Sequence, residues 1–209
     1  MEDVQKLLER LSDPDAVEAV SMDMSASFRP AVQLVLPKAQ IVVDHFHVIQ
    51  YVMKAYRKIV SSWAKKKEGK VLLKGKQHLF LMAQEDLTEE QAQERSKIGA
   101  QLPRMLAAWR LKEGVRHWYA TSTAATAAAG LDAWIEQVQK SDFDHLKKAL
   151  SIFVNWRQEI LAFFQFLPLR ISNGFVEGKN NRTKALMRQG YGYRNRQHLR
   201  LRILLGNAA

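Results

Sequence analysis

A chain of 209 residues can bury one good core and lies near the upper end of what one domain usually holds, so one domain with an elaboration is expected. Its 47% hydrophobic and 25% charged residues are ordinary for a globular protein, with no apolar run near the roughly 18 residues of a membrane span and no basic, apolar signal at the acidic start, so a cytoplasmic location is expected. The absence of cysteine excludes disulfides, thiol nucleophiles and Cys-based zinc sites, while a formal charge of +11 points to a polyanion partner.

In chain order, residues 1–12 read as a helix with Val4, Leu7, Leu8 and Leu11 on one face, ended by Ser12-Asp13-Pro14-Asp15. Residues 17–22 alternate weakly and read as a strand that stops at Asp23. Ser25 or Ser27 can cap a helix from about Phe28 to Leu36, where Pro30 is tolerated in the first turn. Pro37-Lys38-Ala39 then turns the chain into Gln40-Ile41-Val42-Val43, a short β-branched run that reads as a buried strand ending at Asp44. Strand, helix and strand within this span make a βαβ unit with parallel strands. Both strands then end at one edge, the edge where open α/β sheets bind ligands, and Asp23 and Asp44 stand there together.

From His47 to about residue 167 the pattern is helical. Val48, Val52, Ile59 and Trp63 suit one face of a long helix whose other face carries Lys54, Arg57, Lys58 and Lys65. Further helices are expected over 72–94, 102–118, 121–139 and 143–166, with Gly69, Gly75, Gly99, Gly114 and Gly130 read as interruptions. The five tryptophans fall at apolar helical positions and read as core. Residues 172–188 open with capping residues and make a helix of about four turns. Helical spacing places Glu177, Asn180, Asn181, Lys184 and Arg188 on one face. The stretch from Gly190 to Arg196 mixes glycine, tyrosine and arginine, a composition suited to a nucleic-acid backbone or unstacked bases. The expected fold class is therefore α/β but mostly helical.

The positive charge is concentrated. Residues 54–76 hold nine Lys or Arg against Glu68 alone, and residues 170–202 hold nine against Glu177 alone. Clustered cations of this kind displace condensed counterions from nucleic acid.

Two aspartates at adjacent strand ends and a glutamate on a later polar helix would make a hard oxygen set for magnesium or manganese, the ions of two-metal phosphodiester chemistry. Equally, Asp23 and Asp44 could be strand-end caps, and Glu177 could pair with Lys184 on a surface helix. Asp44-His45-Phe46-His47 offers three ligand types in four residues, but structural zinc needs four ligands and the remaining histidines are scattered. Asp44 and His47, three apart, could instead face each other across the first turn of the following helix.

The blocks Val20-Ser21-Met22-Asp23-Met24-Ser25, Pro37 through Val48, and Ser172 through Asn195 resemble, in order and spacing, the insertion-sequence "ISL-three" DDE transposases over nearly the whole chain. That resemblance implies a partial ribonuclease-H-like core at residues 1–50, a large all-α insertion at 51–167, and a returning core helix with a basic tail at 168–209. It implies metal-dependent cleavage and transfer of DNA strands at insertion-sequence ends, with Mg²⁺ or Mn²⁺ as cofactor and terminal-repeat DNA as partner. By motif Asp23 matches the second acid and Glu177 the third, and these would hold the metal. Asp44 and His47 match a supporting Asp-x-x-His signature, with Asp44 an alternative second acid. Lys179, Arg182, Lys184, Arg188, Tyr191, Tyr193, Arg194 and Arg196 would contact DNA. No residue before Asp23 matches the family's first aspartate, so a truncated copy with little autonomous activity is expected. The alternative is a non-catalytic DNA-binding remnant that interferes with intact transposase by occupying DNA or forming mixed oligomers; the partners expected beside DNA are a second copy, in a homo-oligomer, or intact transposase, in a mixed one.

Overall fold

A computed structural model describes residues 2–169, 171–190 and 192–206. It divides into two units, Met1–Ile171 and Ser172–Ala209.

The first unit begins with α1 (Glu2–Leu8), shorter than the helix expected there, and a single 3-10 turn at Pro14–Ala16 whose cap is the Asp13 carboxylate. Strand β1 (Ala19–Met22), helix α2 (Phe28–Val35) and strand β2 (Gln40–Val43) form the βαβ unit. The strands pair in parallel, with Ala19 opposite Gln40 and Met22 opposite Val43. Ile41, Val42 and Val43 are all buried, as a parallel strand covered on both faces requires. Ala31 and Val32 are the buried residues of α2, and α10 (Arg157–Ala162) packs against β2. Arg29 ties α2 to the corner at residues 155–159: its guanidinium meets Glu159 at 2.9 Å, donates to the Asn155 carbonyl at 2.9 Å and lies 3.6 Å over the Trp156 ring.

Helix α3 (His45–Lys65) is the spine of the helical part. Val48, Val52, Ala55, Tyr56, Ile59 and Val60 are buried on it, and it packs against α7 (Pro103–Thr121) and α9 (Asp144–Asn155). The helical stretch expected over 72–94 breaks at Gly75, as read, and again over 82–88. It contains the end of α4 (Lys67–Leu72), α5 (Gln77–Leu81), a 3-10 turn at Gln84–Asp86 and the start of α6 (Glu89–Gln101). Gly75 sits between the first two with φ +71, where a side chain would be strained, and Thr88 starts α6 with a capping box to Gln91. The 143–166 stretch likewise divides into α9, α10 and a 3-10 segment at Phe163–Phe166.

Four glycines expected as interruptions lie inside helices: Gly69 in α4, Gly99 in α6, Gly114 in α7 and Gly130 in α8 (Ala127–Lys140). Gly114 and Gly130 each make room for an indole: a Cβ at Gly114 would come 3.0 Å from Trp134 Cδ1, and one at Gly130 would come 2.8 Å from Trp118 Cδ1. The indole nitrogens are satisfied, Trp134 donating to the Leu111 carbonyl at 2.8 Å and Trp118 to the Ala127 carbonyl at 2.9 Å. Four tryptophans are buried as expected, whereas Trp63 is only partly so. Two cations are buried with partners. Lys112 donates to the Met82 carbonyl at 2.7 Å and pairs with Glu113, while Arg95 donates to Gln84 at 2.7 Å and lies 3.7 Å over Trp109.

In the second unit, α11 (Gly174–Gln189) and α12 (Arg196–Gly206) pack on each other. Asn195 caps α12, its side-chain oxygen accepting from the Gln197 amide at 2.8 Å. Among the described residues no helix is long and apolar enough to cross a membrane.

Candidate acidic site and nucleic-acid interface

The strand register sets the acidic edge. Because Met22 pairs with Val43, Asp23 and Asp44 are the next residues of two parallel strands, and the Asp44 amide continues the ladder by donating to the Met22 carbonyl at 3.1 Å. The two side chains then diverge in environment. Asp44 is buried and is the N-cap of α3, its carboxylate accepting from the Phe46 amide at 2.8 Å with His45 Nδ1 at 3.6 Å. A carboxylate here also suits the positive end of a 21-residue helix. Asp23 leaves its strand into a tight turn, where its carbonyl accepts from the Ser25 amide at 2.7 Å, and its side chain is 53% exposed. Its Oδ1 lies 3.2 Å from Nε2 of His47. The histidine expected across the helix turn from Asp44 is therefore in contact with the other aspartate.

Beneath this edge lies an aromatic layer. The His45 ring packs 5.0 Å from Phe163 and 5.7 Å from Tyr119, and Tyr119 stacks on Phe164 at 5.6 Å. Burial, with the Asp44 charge added, pushes the Tyr119 phenol well above its ordinary range.

Glu177 lies in the first turn of α11, half-buried, its amide donating to the Asn173 carbonyl at 2.8 Å. Arg182, Lys184 and Arg188 on that helix are exposed, as are Arg194 and Arg196 beyond it. Lys179 Nζ lies 5.5 Å over the Phe175 ring. Tyr193 is partly buried, with the Arg202 guanidinium 5.9 Å from its ring, and Tyr191 lies outside the described residues.

Among the described residues no group of three or more His, Asp or Glu is placed to hold a metal ion. The donor chemistry nonetheless suits a hard cation at Asp23, an accessible carboxylate on the strand edge, since magnesium binds through one or two carboxylates and keeps several waters. Asp44 suits it less, with an oxygen committed to the helix cap. Counting charge along the chain missed one further feature. A groove of about 220 Å³ between α3 and α9 is lined by Tyr51, Lys54, Ala55, Lys58, His145, Lys148 and Ala149, joining the first basic block to residues about ninety positions away.

The described residues thus combine an acid-bearing βαβ edge, a helical body and basic helix faces. The family model described as a transposase, of the DDE type of ISL3 insertion sequences, matches residues 1–203, and the chain belongs to that family. The chain is similar to the transposase of insertion sequence IS1001 from Bordetella parapertussis, 26% identical over 192 residues that make up 90% of this chain and 47% of that protein. It is also similar to the IS1557 transposases of two Mycobacterium tuberculosis strains, CDC 1551 / Oshkosh and H37Rv, 28% identical over 127 residues, 61% of this chain and 28% of theirs. The chain thus spans less than half the length of these curated relatives. No solved structure matches it.

Proposed function

We propose that this chain takes part in cutting and rejoining DNA at the ends of an insertion sequence, contributing Asp23 and Glu177 as the second and third acids of the family's catalytic set. The observation that carries this reading is the pair formed by Asp23 and His47 at the carboxyl edge of two parallel strands. An exposed carboxylate at that edge can meet a metal ion that a phosphodiester also binds, whereas Asp44 is buried and caps a helix. For that reason Asp23 is preferred to Asp44 as the second acid. In this reading residues 1–50 and 168–209 belong to a ribonuclease-H-like core, and residues 51–167 are a helical insertion.

The roles follow from the contacts. Asp44 fixes the first turn of α3 by capping it, and that turn carries His47. His47, 3.2 Å from Oδ1 of Asp23, limits the rotamers of that carboxylate. Asp23 and Glu177 would hold Mg²⁺ or Mn²⁺, which when bound acidifies the attacking water or hydroxyl and stabilises the departing oxygen. Lys179, Arg182, Lys184, Arg188, Tyr191, Tyr193, Arg194 and Arg196 would neutralise phosphates of the terminal repeats, and self-association or association with a second transposase chain would bring two ends together.

The experiment is Mn²⁺-dependent cleavage of DNA carrying the terminal repeats. Slow nicking at the element ends is expected, because two acids of a three-acid set are assigned, and Asp23→Asn or Glu177→Gln should each abolish it. Nicking that both variants keep would refute the assignment. The two basic segments, which need no carboxylate to bind DNA, favour a second reading, a non-catalytic DNA-binding protein, under which Mn²⁺ leaves DNA untouched and binding depends on salt alone.

A further inference from the structure

The acid-bearing edge and the α3–α9 groove are joined by one face of one helix. On α3, His47, Tyr51, Lys54, Lys58 and Lys65 follow one another at spacings of four, three, four and seven residues, which keeps them on a single stripe. His47, at its start, touches Asp23. Tyr51, Lys54, Lys58 and Lys65 are exposed. At 1.5 Å per residue the stripe runs about 27 Å, and Lys54 and Lys58 lie about 6 Å apart along it, a spacing that lets them meet separate phosphates of one strand.

No residue of α3 itself offsets the positive charge of this stripe. Helix α3 contains no Asp or Glu in 21 residues. Across from it α9 presents His145 and Lys148, and the side chains lining the groove include no acid, Asp144 lying outside the lining. Ala55 and Ala149, both small, apolar and buried, line it with Tyr51. A groove with cations from both helices, small apolar residues and an aromatic ring matches a sugar-phosphate backbone. An acidic protein segment would find few apolar anchors there, since Tyr51 is the one large hydrophobic side chain of the lining.

We propose that this stripe and groove form a track for duplex DNA, leading the backbone away from the Asp23 edge along α3 and between α3 and α9, with Lys54, Lys58 and Lys148 as its phosphate contacts. The proposal rests on the reading above in taking the Asp23 edge as the place where DNA is cut. It assigns DNA contacts to the helical body as well as to the residues that follow Glu177.

The test is fluorescence anisotropy of the 209-residue chain with a labelled duplex of about 30 base pairs, read without divalent metal across salt from about 50 to 200 mM. Lys54→Gln with Lys58→Gln and Lys148→Gln should weaken binding roughly tenfold or more and reduce the salt slope by about 2.7, the loss of three phosphate contacts. A charge-matched control, Lys6→Gln with Lys97→Gln and Lys140→Gln, replaces exposed lysines elsewhere and should stay within about threefold of the parent. The three groove positions changed to Arg should bind as the parent does, which separates lost charge from lost folding. Equal weakening by groove and control variants would overturn the track, as would a groove variant that melts like the parent and binds like it. Because binding is read without metal, a chain that fails to cleave but depends on the groove loses only the catalytic reading. One that cleaves but ignores the groove loses only this one.

Discussion

Asp44 and Asp23 differ by their neighbours, and the difference is measurable. Asp44 caps α3 through the Phe46 amide, so Asp44→Ala should cost about 1–2 kcal/mol in chemical denaturation, whereas Asp44→Asn, which keeps a side-chain acceptor, should cost only a few tenths. Equal losses from both would mean that the negative charge, not the cap, is what matters there. Tyr119 gives a second test. Its folded pKa is raised above the ordinary 10.0, so the unfolded phenol ionises first and stability falls as pH rises beyond 10, by about 1.4 kcal/mol per pH unit. Tyr56, also buried, acts in the same direction. Lys112 acts oppositely: burial lowers its folded pKa below 10.5, the unfolded chain binds the extra proton just below that value, and stability rises with pH there. Tyr119→Phe isolates one contribution, and alkaline denaturation should show it losing less stability than the parent above pH 10. At neutral pH it should be neutral or slightly stabilising, because the Tyr119 hydroxyl is buried with no hydrogen-bond partner among the described residues.

At the scale of elements, the βαβ unit was legible because its signals are local: two apolar runs, each stopped by an aspartate, around a capped amphipathic helix. Their parallel pairing then follows from connectivity, and with it the common edge for Asp23 and Asp44. Gly69, Gly99, Gly114 and Gly130 were misread for a physical reason. A glycine in a helical pattern signals either a break or a close approach, and only the three-dimensional neighbour decides. Gly75 breaks a helix, whereas Gly130 receives the Trp118 ring. Gly130→Ala should therefore destabilise by about 1 kcal/mol net, since overpacking against a hydrogen-bonded indole outweighs the roughly 1 kcal/mol of helix propensity that alanine adds. A thermal melt that rises instead would show that Trp118 can move aside. Asp23 and His47 lie twenty-four residues apart, beyond the turn-to-turn reach of helical spacing, which is why the sequence suggested Asp44 as the neighbour of His47.

For the molecule as a whole, membership of the transposase family and the polyanion partner suggested by two basic blocks point the same way. The Asp-Met-Ser and Glu-Gly-Lys-Asn-Asn blocks were legible because they are contiguous; the groove was not, because Lys148 reaches it from α9. The central claim is that Asp23 and Glu177 are metal-holding acids. Titration of the chain with Mn²⁺, followed by electron paramagnetic resonance of the free ion, tests it without requiring turnover. Asp23→Asn and Glu177→Gln should each weaken binding at least about tenfold, while Glu159→Gln, whose carboxylate is engaged by Arg29, should leave it unchanged. Mn²⁺ affinity that is the same in the parent and in both acid variants would contradict the account.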